Sequence, residues 1–230
     1  MIDYLNYGKQ VQSIPKKPQS KIKVCTPKSS HGWLEYKLNQ TELDYVWSCV
    51  NHQEVEKNNW SHNLAGNISN SYLLEDKNNW FYNNTIVHLI DLYEKSFENL
   101  GKGLAFSFHS QDGDSVSYAM KPWWVNYQKQ YEFNPSHNHT GVYSFAIWLK
   151  IPYECEEQNI GNETNAKARG TFAFEYTNLL GEICYSEYRL GKKHEGTMLF
   201  FPSKLHHLVN PFYNCEEDRI SVSGNISLKV

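Results

Sequence analysis

The chain has few of the features that would assign it quickly to a class. Its five cysteines (Cys25, Cys49, Cys155, Cys184 and Cys215) are scattered and odd in number, with no close pair among them. That spacing excludes a disulfide framework and a zinc knuckle, and suits a reducing cytoplasm. No apolar run reaches the length that spans a bilayer. Met1-Ile2-Asp3-Tyr4 opens with no basic stretch before an apolar one, so no signal peptide is expected. A formal charge of -3 gives no global case for nucleic acid. No internal repeat is evident. Asn-x-Ser/Thr triplets such as Asn67-Ile68-Ser69 and Asn225-Ile226-Ser227 are what an Asn-rich chain produces by chance.

What the chain does have is aromatic residues, at 15% of a length of 230. That is too many for a disordered chain and enough for a buried core. The length suits one domain, residues 1–230. Residues 1–30, with Pro15, Pro18 and Pro27 among lysines, read as an extended arm. Residues 31–105 read as a helical support. Thr41 is the expected N-cap of a helix carrying Leu43, Val46, Trp47 and Val50 at helical spacing. Asn63 to Ile68 reads as a loop running into Ser71-Tyr72-Leu73-Leu74. A second helix is expected from about Asn84, with Ile86, Leu89, Ile90, Tyr93 and Phe97 on one face and Gly101 just past its end.

Residues 106–230 have a different texture. Aromatic and β-branched runs alternate with Gly, Pro, Asn and Asp, the mark of many short strands. Strands are expected over 124–128, 142–149, 170–176, 183–190, 196–201 and 219–228. With no helix-length pattern between them, they imply an antiparallel sandwich or barrel with flanking helices. The polar stretch 154–168 reads as an excursion loop.

Four of the ten histidines fall in two short motifs within this half. The first is Asn134-Pro135-Ser136-His137-Asn138-His139-Thr140-Gly141, and the second is Phe201-Pro202-Ser203-Lys204-Leu205-His206-His207. In an extended segment residues i and i+2 project to one side, so His137 and His139 can reach one metal ion. A third ligand must come from a distant strand, and His206 and His207 are the candidates. Adjacent strand residues face opposite ways, so only one of them can serve. Three protein ligands leave open positions on an octahedral metal, unlike a closed structural site. Farther on, Arg219, Ser221 and Ser223 share a strand face, and an inward arginine requires an anionic partner. A guanidinium beside a hydroxyl suits a carboxylate. Asn126 and Gln128 also alternate inward, while Trp123, Trp124 and Trp148 read chiefly as core. His31, His52, His62, His88, His109 and His194 show no partner pattern.

The ordered set of His-x-His, a distal His in Phe-Pro-Ser-x-Leu-x-His, then Arg-x-Ser resembles the 2-oxoglutarate- and iron(II)-dependent oxygenases. It is most similar to a prolyl-hydroxylase-like branch found in marine phages and bacteria. The resemblance covers roughly the C-terminal half. It implies a double-stranded β-helix (jelly roll) core, with His137 and His207 as iron ligands. It favours His207 over His206, and it assigns Arg219, assisted by Ser221, to the distal carboxylate of 2-oxoglutarate. Asn126 is a further candidate for the cosubstrate. The family's commonest motif has an aspartate where this chain has His139, so the third position is held by His139 or by water, and the reading here takes His139. The implied activity is hydroxylation using O2, with 2-oxoglutarate converted to succinate, in the cytoplasm or in a host's cytoplasm. The substrate classes that fit are a peptide, a nucleobase or a metabolite. One rival is a cupin-like protein holding zinc, manganese or nickel without 2-oxoglutarate. Another is a jelly-roll structural protein in which the histidines are incidental.

Overall fold

A computed structural model of the chain describes residues 32–52, 59–97, 117–160 and 167–229. The expected arm, His31, His109 and the Gly101 helix stop lie outside those residues.

The described part is built from eleven strands and two helices. The strands are β1 (Leu34–Lys37), β2 (Asn70–Leu74), β3 (Tyr118–Met120), β4 (Trp123–Gln128), β5 (Asn134–His137), β6 (Tyr143–Lys150), β7 (Thr171–Thr177), β8 (Ile183–Arg189), β9 (Thr197–Pro202), β10 (His206–Val209) and β11 (Arg219–Leu228). The helices are α1 (Gln40–Asn51) and α2 (Val87–Ser96). One sheet runs β1-β9-β6-β11-β4-β2, with β3 also on β11, and a smaller one runs β5-β10-β7-β8. Every pairing is antiparallel. From β4 on, the chain passes from sheet to sheet: β4, β6, β9 and β11 fall in the larger, and β5, β7, β8 and β10 in the smaller. That winding is a double-stranded β-helix.

Side-chain alternation divides the apolar residues into two cores. Val125, Phe145, Ile147 and Val222 face α1 and α2, where Val46, Val50, Leu89, Ile90 and Tyr93 meet them. Trp123 belongs to this layer, its ring stacked on Phe81 at 5.2 Å. Trp148, Tyr153, Phe172, Phe174, Phe201 and Phe212 form the second core. Strand β6 is buried nearly throughout because it has a layer on each face.

All six expected strands are present, shifted by at most a residue or two. The cap of α1 differs: Asn39, not Thr41, closes it. The Asn39 side chain accepts from Glu42 N at 3.0 Å, and the Glu42 carboxylate accepts from Asn39 N at 2.9 Å. Glu42 sits three residues after Asn39, which is the geometry a capping box requires, so the helix begins earlier. The second helical segment also begins ahead of Asn84, in a π-turn over Tyr82–Ile86. Asp76 starts it by accepting from the backbone N–H groups of Phe81 and Tyr82, each at 2.9 Å. Residues 31–105 are more than helical support, since β1 and β2 form the two ends of the larger sheet.

Candidate functional site

The site lies at one end of the space between the sheets. Strand β4 turns Trp124, Asn126 and Gln128 inward, and β11 turns Arg219, Ser221 and Ser223 inward. Their register pairs Arg219 with Gln128, Ser221 with Asn126 and Ser223 with Trp124. Ala146 and Trp148 of β6 complete that wall. His137, His139, His207, Phe172 and Val209 line the opposite side of a cavity of about 170 Å³.

His137 and His207 face each other directly across the β5/β10 pairing. His139 lies beyond the end of β5, so strand alternation alone does not aim it. Its backbone N–H donates to Ser203 O at 2.8 Å, tying the turn to the segment that leads into β10. Its Nε2 then stands 3.2 Å from that of His207. One ligand atom from each of the three imidazoles lies within 4.8 Å of the others. His206 points to the outer face of the small sheet, where its Nε2 meets Asn138 Nδ2 at 2.8 Å.

Gly141 turns the chain from His139 into β6 with φ near 107°, a region L side chains avoid. A Cβ there would stand 2.6 Å from the Ile226 carbonyl oxygen. Gly141→Ala is therefore expected to lower stability by about 2 kcal/mol or more, read by denaturant unfolding, and to weaken metal uptake.

The hydrogen bonds and burial of the three imidazoles give them the form that binds a metal. His137 Nδ1 is 2.7 Å from Pro135 O and His207 Nδ1 is 3.0 Å from Leu205 O. A carbonyl oxygen only accepts, so each Nδ1 carries the hydrogen and each Nε2 keeps its lone pair. Burial holds His207 down to about 3, reinforced by the charge of His137. Burial and His137 likewise hold His139 down to about 4, and burial lowers His137. All three are neutral at neutral pH, the form that binds metal. Three neutral imidazoles, two of them with the Nε2 lone pair fixed by their tautomer, beside open space suit iron(II).

Arg219 is 2% exposed. Its guanidinium donates to Tyr153 Oη at 2.6 Å and to Gln128 Oε1, both neutral partners. The Tyr153 hydroxyl is in turn 3.1 Å from Gly170 O, and its ring stacks on Phe212. Burial pushes the Tyr153 hydroxyl up against the opposing pull of Arg219. No Asp or Glu lines the cavity among the described residues. A buried cation without a carboxylate beside it makes that end of the cavity receptive to an anion.

The structure thus gathers every residue that sequence reading selected for the site: His137, His139, His207, Arg219, Ser221 and Asn126 all line one cavity. Asn126 is also tied to β2, its Oδ1 accepting from Ser71 Oγ at 2.7 Å. Trp124 and Trp148, read chiefly as core, line the cavity too, with Trp124 edge-on to His139. Tyr153 and Asn134 were missed. A lone tyrosine after Pro152 carries no spacing signal, whereas Asn134 stood within the first motif.

Residues 122–225 match the family model described as "Putative 2OG-Fe(II) oxygenase", a span holding all three imidazoles and Arg219. None of the curated proteins compared matches the sequence. Among solved structures, a Pseudomonas putida prolyl-4-hydroxylase is similar at 12% identity, with a TM-score of 0.49 over 88% of this chain and 95% of that one. A Trichoplax adhaerens prolyl hydroxylase, solved with a hypoxia inducible factor peptide fragment, is 11% identical with a TM-score of 0.49, covering 86% and 84%. A viral collagen prolyl hydroxylase from Paramecium Bursaria Chlorella virus-1, in its 2-oxoglutarate complex, is 12% identical with a TM-score of 0.39, covering 86% and 96%.

Proposed function

We propose that this chain, whose residues 122–225 match the 2OG-Fe(II) oxygenase family model, is a hydroxylase in which His137, His139 and His207 hold iron(II) and Arg219 holds 2-oxoglutarate. One observation carries the assignment of roles: a single cavity has three neutral imidazoles at one end and, at the other, a buried guanidinium with no acidic partner among the described residues. The bound metal, 2-oxoglutarate and O2 supply oxidative decarboxylation to succinate and carbon dioxide, coupled to hydroxylation of the substrate. The protein's part is geometry.

Arg219, fixed by Tyr153 and Gln128, receives the far carboxylate in a preset orientation, which directs the keto-acid end toward the imidazoles. Ser221 lies two residues along the same strand face and adds a hydroxyl to that grip. Asn126, tethered by Ser71, steadies the middle of the cosubstrate. Trp124, Trp148 and Phe172 keep water from the cavity walls. The thiols Cys49, Cys184 and Cys215, none of them in a disulfide, support a working place in the cytoplasm. No described helix is long and apolar enough to cross a membrane.

The test is anaerobic addition of 2-oxoglutarate to the iron(II)-loaded protein. A weak visible charge-transfer band is expected. A protein that holds iron yet gives no band does not use 2-oxoglutarate, and the cupin-like alternative takes its place. Succinate release against panels of peptides, nucleobases and small metabolites then identifies the substrate class.

A further inference from the structure

Four side chains, not three, meet where the imidazole nitrogens converge. Asn134 opens β5, lines the cavity, and places its Nδ2 3.2 Å from His137 Nε2. Since His137 Nδ1–H is committed to Pro135 O, Nε2 is a lone pair and the amide N–H is its natural donor. The other half of the same amide is less well served. Asn134 Oδ1 is buried with no hydrogen-bond partner among the described residues. A buried acceptor left in that condition is destabilising, so the oxygen needs a partner that arrives later.

The amide cannot back away to find one. Asn134 is held opposite Val209 in the β5/β10 pairing. On its other side stands Gly66, where an added Cβ would lie 2.9 Å from both Asn134 Cγ and Oδ1. The carboxamide is a plate between Gly66 and His137, and the freedom left to it is a half-turn about its Cβ–Cγ bond. Its two ends are nearly equal in size, so the half-turn exchanges nitrogen for oxygen with little disturbance. It points Oδ1 at the place where the His137 Nε2 lone pair is directed. Two lone pairs converging there are repulsive in the empty site and favourable with a cation between them.

We propose that Asn134 is a fourth, displaceable ligand of the metal centre, its Oδ1 joining the three imidazoles until a cosubstrate or oxygen takes the position. The proposal rests on the reading of the three histidines as the metal centre. It accounts for the orphaned oxygen and for a glycine packed against the amide. It also gives a site without a carboxylate an oxygen donor that adds no charge.

Cobalt(II) in the absence of 2-oxoglutarate is the probe, with affinity from calorimetry and coordination number from the visible d–d absorption. Asn134→Leu keeps the side chain's size and removes the donor. It is expected to lose about tenfold in affinity, with a more intense spectrum of lower coordination number. Asn134→Asp is expected to bind about tenfold more tightly or better, a gain that misfolding cannot produce. A Leu variant with wild-type affinity and spectrum overturns the role of Asn134 and leaves the three-histidine centre standing. Failure of the wild-type protein to bind cobalt(II) overturns both.

Discussion

Replacing His207 with alanine is expected to reduce metal affinity by at least about 100-fold, more than removal of a supporting group outside the ligand set would. The expectation follows from its close approach to both other imidazoles. It faces His137 across β5 and β10, and its Nε2 lies 3.2 Å from that of His139. At 4% exposure its ring is fixed by Phe172 and Phe201, so no neighbouring imidazole can swing into its place. His206, the adjacent residue, faces outward and cannot substitute for it. His206→Ala is thus the matched control, expected to bind metal as the wild type does and to change stability by about 0.5 kcal/mol or less. Calorimetric titration of both variants, beside their melting curves, separates ligand loss from unfolding. A His207→Ala protein that is folded and binds metal like the control would falsify the three-histidine site.

Arg219→Ala is expected to raise the dissociation constant for 2-oxoglutarate by roughly 100- to 1,000-fold, about 3–4 kcal/mol, while leaving metal affinity near wild type. The size comes from burial, because the guanidinium meets the carboxylate in a dry pocket rather than in water. The separation from the metal comes from topology: Arg219 belongs to the larger sheet, whereas His137 and His207 belong to the smaller. Arg219→Lys is expected to recover only part of the loss. An ammonium is a compact point charge and cannot serve Tyr153, Gln128 and a carboxylate together as the planar fork does. Anaerobic titration read by the charge-transfer band gives all three constants. Equal constants for the parent and the alanine variant would remove Arg219 from the cosubstrate site.

The sequence was most legible where packing is strongest. Strands β4, β6, β7, β8, β9 and β11 are aromatic or β-branched and long enough to show their period. Among the strands that escaped notice, β5 and β10 carry His137 and His207. Each has four residues; β5 begins Asn134-Pro135, and β10 begins with two histidines. Their composition is set by a cavity rather than by a core, so propensity does not reveal them. The site was legible through chemistry instead: His-x-His, a distal His and an inward Arg survive as a pattern even where the strands do not. The aim of His139 was not legible as geometry. It depends on the positive φ of Gly141 and on a hydrogen bond to Ser203, a residue far along the chain. Tyr153 and the orphaned Asn134 oxygen are likewise tertiary facts, visible only once the cavity has closed.

Strand β11 follows the other described strands in sequence, yet it lies between β6 and β4, deep within the larger sheet. As the chain leaves the ribosome, β4 and β6 emerge well before the strand that will separate them. Until residues 219–228 follow, the larger sheet has a gap at its centre and the smaller sheet has no finished floor to close upon. The described strands therefore cannot become cooperative until residues 219–228 have emerged, and until then the exposed edges of β4 and β6 are open to misassembly. The same order means that Arg219 enters the site with the strand that completes the fold. A chain truncated before β11 loses Arg219 and its central strand together, so no stable protein with a half-built site is to be expected from it.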